Sequence, residues 1–207
     1  MIKKISKQKG FTLVEMIVSL GIFTVVAVIA LGALLKVMDV SQKSITLKNA
    51  VDNMNFALDS MSREMRVGQN LYCVQSAFAT IQPPLSAPSD NCSASFTSDW
   101  TLAFNSTKVC TNDPTNNVIY AYSFKKGVGN GKGTLSKAQQ LPDCSNTITE
   151  NDYHSVLADD IDIDNSLVNI TVTGQPKTLF YFKGHVGVKT KDQTSFTVQT
   201  TVSQRVK

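Results

Sequence analysis

The 207-residue chain has a formal net charge of +4, and Lys3, Lys4, Lys7 and Lys9 at its N-terminus account for all of it. The remainder is formally neutral, so the basic character is no argument for nucleic acid as a partner, since no Lys/Arg stripe remains to neutralise phosphates. The two histidines, His154 and His185, lie in no zinc-protease motif, and no Gly-x-Ser-x-Gly elbow is present, so nothing in the composition supports an enzyme.

After the lysines comes an apolar run of 25 residues, Phe11 to Leu35, whose single charged residue is Glu15. At about 1.5 Å per residue it forms a rod of about 37 Å, enough to cross a hydrocarbon core of about 30 Å. Basic residues before the run hold the N-terminus in the cytoplasm and send everything after Lys36 outward. A secretory signal has an apolar core of about 7 to 15 residues ending at a small-residue cleavage site. Here Ala30-Leu31-Gly32 is followed directly by Ala33-Leu34-Leu35, so the segment reads as an anchor. An acidic side chain costs about 2.5 to 3.5 kcal/mol at the centre of an inserted helix and less near its end. Glu15 is therefore expected to have a partner.

Lys9-Gly10-Phe11-Thr12-Leu13-Val14-Glu15 behind a lysine-rich leader and ahead of some twenty apolar residues resembles the class III leader of type IV prepilins and type II secretion pseudopilins. The resemblance implies that a membrane prepilin peptidase cuts between Gly10 and Phe11 and methylates the new Phe11 amine. Glycine suits such a site because it has no side chain to obstruct the backbone. It also implies a partner for Glu15: the free N-terminal amine of a neighbouring subunit in a growing filament. Other implied partners are further pilin or pseudopilin subunits, an inner-membrane assembly platform, and lipid before assembly. The implied location is the inner membrane, then an extracytoplasmic filament.

Beyond the anchor the apolar pattern becomes periodic. Val40, Leu47, Val51, Met54, Leu58, Met61 and Met65 follow a 3/4 spacing interrupted by Ser44, which predicts one stripe on a continuing helix. The helix is expected to stop near Gly68, with Arg63 and Arg66 at the negative end of its dipole and Gly68 as a left-handed cap. A coiled-coil seam is the rival reading, but the flanking positions lack regular opposite charges. Core packing is preferred, with the methionines as adaptable fillers.

After Gly68 the composition turns to Ser, Thr, Asn, Gly and Val, and Pro83, Pro84 and Pro88 mark a loop. Strands are expected at Trp100 to Phe104, Val118 to Phe124, Leu167 to Val172, Thr178 to Phe182 and Ser195 to Val202. Cys73, Cys92, Cys110 and Cys144 all fall on the side predicted to be outside, where disulfides persist. Two disulfides are expected, and four cysteines allow three connectivities. Pairing in sequence order, Cys73 with Cys92 and Cys110 with Cys144, would staple two loop-rich excursions. The spacings contain no close pair of zinc ligands.

Gly127 to Thr134 superficially resembles a phosphate loop, but Lys132 is followed by Gly133 instead of Ser or Thr, and a hairpin turn explains the glycines better. Glu150, Asp152, Asp159, Asp160, Asp162 and Asp164 concentrate negative charge. Asp160, Asp162 and Asp164 are candidate calcium ligands, because hard cations prefer clustered carboxylate oxygens. Their alternation with Ile161 and Ile163 favours a strand with one wet face, and no other cofactor is suggested. Trp100 and the two histidines read as ordinary structural residues.

The expected architecture is α+β and pilin-like, a long N-terminal helix packed on an antiparallel sheet. The divisions are a cleaved leader (1–10), a transmembrane and filament-core segment (11–35), an amphipathic helical segment (36–68) and a β-rich external domain (69–207). Met61-Ser62-Arg63-Glu64-Met65-Arg66 and Gln199-Thr200-Thr201-Val202-Ser203-Gln204-Arg205 resemble W-type minor pilins and J-type pseudopilins. Gly32 stands where many major pilins carry proline. The implied function is that of a structural subunit, minor or initiating. A tip adhesin using the acidic region or the Trp100 loop is the alternative, and a membrane-anchored enzyme the third.

Overall fold

The computed structural model describes residues 10–83, 85, 99–128, 131–171, 176–187 and 193–205. Helix α1 spans Leu13–Val67, and eight strands follow: β1 (Gln69–Val74), β2 (Trp100–Val109), β3 (Asn117–Lys125), β4 (Thr134–Gln139), β5 (His154–Ser155), β6 (Ile161–Thr171), β7 (Lys177–Val186) and β8 (Thr194–Ser203). The chain divides into two compact units, residues 1–45 and 46–207. In the first, α1 is a single helix whose large apolar side chains, from Leu13 to Ile45, stand exposed. It is the one helix among the described residues long and apolar enough to cross a membrane.

The second unit is α+β and pilin-like. The outer turns of α1 bury Ala50, Met54, Ala57, Leu58, Met61 and Met65, which with the half-buried Leu47 and Val51 form most of the expected stripe. Val40, its first member, is exposed and belongs to the other unit. The stripe packs on the aromatic face of an antiparallel sheet ordered β1-β2-β3-β4-β5, where Phe104, Tyr122 and Phe124 are fully buried. Two sheets occur where one was expected: β6-β7-β8 forms a second antiparallel sheet and sends Phe180, Phe182 and Val202 into the same core. A smaller core lies beneath the five-stranded sheet, where Ile81, Leu85 and Ile148 cover Ala103, Ile119, Ala121 and Ala138. With both faces covered, β3 is buried along nearly its whole length. Trp100, expected to be structural, is 3% exposed and donates from Nε1 to Ser166 Oγ on β6.

All five expected strands exist, and β6 starts six residues before the expected Leu167. Strands β1 and β5 were not anticipated, and β4 is the second strand of the hairpin expected across the glycine-rich turn. Thr134-Leu135-Ser136-Lys137-Ala138-Gln139 is poor in β-branched and aromatic residues, and β4 owes its existence to pairing with β3 across the glycine-rich connection. Gly133 also joins the sheets, its carbonyl accepting from Ile163 N at 3.2 Å. A Cβ on Gly133 would lie 2.0 Å from Ile163 O.

The helix ends at Val67, as expected, but not through a left-handed Gly68. Among the described residues the only glycine with positive φ is Gly187, and Asn70 takes the left-handed conformation (φ 53°) after the helix. Gly68 is required for space, because a Cβ there would lie 2.5 Å from Cδ2 of the buried Phe104 ring. The C-terminal strand completes the cap: Gln204 Nε2 donates to Gly68 O at 3.0 Å, and Arg205 N donates to Arg66 O at 2.9 Å. Gly68 N closes the last turn locally on the Glu64 and Met65 carbonyls, and the Arg66 and Gly68 carbonyls find donors just beyond the last strand.

Cys110 and Cys144 form a disulfide with Cα atoms 5.6 Å apart, which ties the β2–β3 turn to the segment after β4. Hydrogen bonds from Thr115 and Asn116 to Asp113, and from Ser145 to Asp143, shape the turns beside it and hold both carboxyls below the usual range. Cys73 is also disulfide-bonded. Its expected partner Cys92 lies outside the described residues, as do the leader lysines and Pro84 and Pro88 of the expected loop.

Replacing Gly68 with alanine drives a methyl group into a ring that has no room to move. Gly68→Ala is expected to destabilise the external unit by about 1 to 3 kcal/mol, read as a lowered melting temperature by near-UV circular dichroism of the detergent-solubilised chain; an unchanged melt would show that Phe104 yields.

Candidate functional site

Two places carry the sequence-derived candidates. The first is the start of α1. Gly10, Phe11 and Thr12 precede the helix in non-helical backbone; Gly10 is exposed, and a Cβ there would meet open space. Phe11 is 78% exposed. The Gly10–Phe11 bond therefore lies in exposed, non-helical backbone. Thr12 caps the helix, its Oγ1 accepting from Glu15 N at 3.3 Å.

Thr12-Leu13-Val14-Glu15 has the Thr-x-x-Glu spacing of a capping box, which fixes Glu15 at the third helical position. A carboxylate there faces the positive end of the helix dipole and the unpaired N–H groups of the first turn. Its low-dielectric cost is thereby reduced at the end of the helix, while the exposed side chain remains available to a partner.

The second place is the mouth of β6. Ile161 and Ile163 point into the core, as their alternation with the aspartates predicts. Between Ile163 and Asn165 the β6–β7 register slips by one residue, at Asp164. Such a bulge re-aims side chains. Gly184 permits it: a Cβ there would lie 2.2 Å from Asp162 O.

Asp162 and Asp164 both meet His185, with Nδ1 3.0 Å from Asp164 Oδ1 and Nε2 3.7 Å from Asp162 Oδ2. Asp162 Oδ1 also accepts from Gly133 N at 2.8 Å, so one carboxylate links the imidazole to the glycine-rich connection. An open cavity of about 450 Å³ lies over these groups and is also lined by Lys126, Gly127, Gly131 and Asn165.

Asp160, Asp162 and Asp164 do not converge: Asp160 lies exposed in the turn before β6, and no three His, Cys, Asp or Glu side chains among the described residues could hold a metal ion. The carboxylates of Asp162 and Asp164 address opposite nitrogens of one imidazole. His185, expected to be an isolated residue, is the centre of the cluster, whereas His154 is exposed on β5. The Trp100 ring itself is in the core, and residues 86–98 of the loop before it lie outside the described residues.

A third cluster lies where α1 meets the sheet. Tyr122 OH donates to Glu64 Oε2 at 2.7 Å, and Lys137 Nζ donates to Glu64 Oε1. Burial, reinforced by the bond to Glu64, pushes the Tyr122 phenol far above its ordinary range, so it remains a donor. Lys137 lies 4.9 Å from the Tyr120 ring centre and Lys108 lies 5.8 Å from it. These partners are 58 and 73 residues from Glu64, a separation at which no local sequence pattern operates.

Residues 5–31 match the family model of the prokaryotic N-terminal methylation motif. That motif is the class III leader of type IV prepilins, and the chain carries it immediately before an apolar helix. No curated protein and no solved structure matches the chain.

His185→Ala leaves two neighbouring carboxylates without the ring between them and is expected to cost about 1 kcal/mol, lowering the melting temperature by about 2 to 4 °C for a domain of this size. Thermal melts with and without calcium check both this and the absence of a shared cation site: the wild-type melting temperature should not respond to calcium.

Proposed function

We propose that this chain is a structural subunit of a type IV pilus or a type II secretion-like pseudopilus, and a minor or initiating one. The observation that carries the reading is the methylation motif over residues 5–31, set directly against a membrane-length apolar helix. Gly10 and Phe11 are the processing residues, with cleavage between them and methylation of the Phe11 amine. Processing removes Lys3, Lys4, Lys7 and Lys9 and leaves a formally neutral subunit.

Glu15 is the assembly residue. Cleavage creates an amine with a reference pKa of about 7.7 to 8.0, and opposite charges 4 Å apart attract by about 4 kcal/mol at an effective dielectric of 20. A methylated amine still carries the charge. Before assembly the subunit sits in the inner membrane with its N-terminus in the cytoplasm; afterwards its external unit belongs to an extracytoplasmic filament. The W- and J-type resemblance of the helix end and C-terminal strand, and Gly32 in place of proline, support the minor role. The reading assigns the chain assembly rather than catalysis.

Mass spectrometry of the mature N-terminus tests the reading: methylated Phe11 is expected, whereas a retained leader or cleavage near Gly32 would falsify it. Glu15→Gln removes the charge while keeping the shape. It should leave insertion and cleavage intact while cutting incorporation into filaments at least tenfold, on the order of the lost ion pair, as read by quantifying the subunit in sheared filaments against the membrane fraction.

A further inference from the structure

A sheet edge presents unpaired backbone donors and acceptors, and native folds blunt such edges with short strands, bulges, charges or covering segments. The edges here are β1 and β5 of one sheet and β6 and β8 of the other. Strand β1 is six residues long with a register shift between Gln69 and Tyr72, and β5 has two residues. Strand β6 carries Asp162 and Asp164, slips register between Ile163 and Asn165, and already gives Ile163 N to Gly133 O. Strand β8 has none of these devices. It runs for ten residues in unbroken register with β7 and holds no charge, proline or glycine between Thr194 and Ser203.

The backbone shows which groups of β8 are open. Gln204 N donates to Pro176 O, in step with the Lys177–Ser203 pair, so Gln204 faces β7. Arg205 N points the opposite way, to Arg66 O at the helix end. An antiparallel strand bonds each neighbour through alternate residues, so Ser195, Thr197, Gln199 and Thr201 direct their N–H and C=O groups to Arg205's side, away from β7. All four residues are exposed, and among the described residues none makes a hydrogen bond on that side. The helix end covers the edge at Arg205, and the stretch centred on Val198 stays open.

Composition sets what fits there. A second β8 laid antiparallel about Val198 opposes Ser195 to Thr201 and Thr197 to Gln199 on the exposed face. On the other face it opposes Phe196 to Thr200, and the two Val198 side chains meet at the axis. No like charges meet, hydroxyl and amide groups stand where they can bond across the strands, and six of the ten residues are β-branched. The edge has no charge with which to select a foreign strand; the complementarity it carries is with itself.

We propose that β8 is a dimerisation edge, pairing with β8 of a second copy about a two-fold axis at Val198 and joining the two β6-β7-β8 sheets into one. The same edge serves both copies, so the contact is closed, and it consumes the edge instead of extending a chain. It involves neither Glu15 nor the outer face of α1, and it does not rest on the filament reading.

Sedimentation of the full-length chain in density-matched detergent should show a dimer. Thr197→Lys places a charge on the exposed face of the edge, and Gln199→Pro removes an edge N–H that β7 does not use. Each should weaken dimerisation at least about tenfold, with the near-UV circular dichroism of Thr197→Lys unchanged. Apolar helices also associate in detergent, so Val198→Cys locates the contact. Val198 bonds toward β7, which makes its pair across the axis a non-hydrogen-bonded one with Cα atoms about 4.5 Å apart, within disulfide reach. Mild oxidation should link this variant to itself between copies, as read by mass spectrometry of the unreduced digest, whereas Ser195→Cys, opposed to Thr201, should not self-link. A monomeric wild type, a dimer that Thr197→Lys leaves intact, or a dimer in which Val198→Cys forms no self-link would each overturn the proposal. These readouts do not depend on processing, so a retained leader would defeat the filament reading and leave this one standing.

Discussion

The external unit depends on the burial of one helix stripe against the aromatic face of a sheet. Met54, Leu58, Met61 and Met65 are sealed beneath Leu102, Phe104, Tyr122 and Phe124, and Phe180 and Phe182 of the second sheet close the same core. Fully burying a side chain of this kind is worth about 1.5 to 3 kcal/mol relative to exposure, so the stripe outweighs any single polar contact in the unit. Unbranched methionine fills the irregular space between flat rings, which explains its use at three of those four positions.

Polar groups then fix the register that hydrophobic burial leaves loose. Glu64 reaches across to Tyr122 and Lys137, on neighbouring strands paired at those two residues, and so holds the helix at one position along the sheet. Gln204 and Arg205 supply donors to carbonyls at the helix end. Gly68 lets the chain leave the helix beneath Phe104. Near the other end of the sheets, Gly133 and Gly184 allow backbones to approach too closely for any side chain, and the resulting bulge turns Asp164 towards His185.

The same helix serves two solvents. From Leu13 to Leu35 it exposes apolar side chains around its whole circumference, the pattern of a segment whose surroundings are lipid or other helices. From Ala50 onward it is one-sided and covered by its own chain. Glu15 belongs to the first regime, but its third position in the helix, set by Thr12, puts it where an acid is least costly. An acid near the start of an apolar helix thus has a local reason to be tolerated, and the proposed assembly role would use a charge that the helix end already accommodates.

Features governed by short-range periodicity were legible in the residues alone. Hydropathy marked the apolar run, the 3/4 spacing marked the buried stripe, and alternation turned Ile161 and Ile163 inward. The Cys110–Cys144 pairing could be suggested but not selected, because connectivity depends on which loops meet in space. Only the tertiary structure decided that the strands form two sheets, that Gly68 supplies room and not a left-handed turn, and that Asp162 and Asp164 both reach His185. Each depends on atoms brought together from distant parts of the chain, and a linear pattern carries the period of one element but not the distance between two.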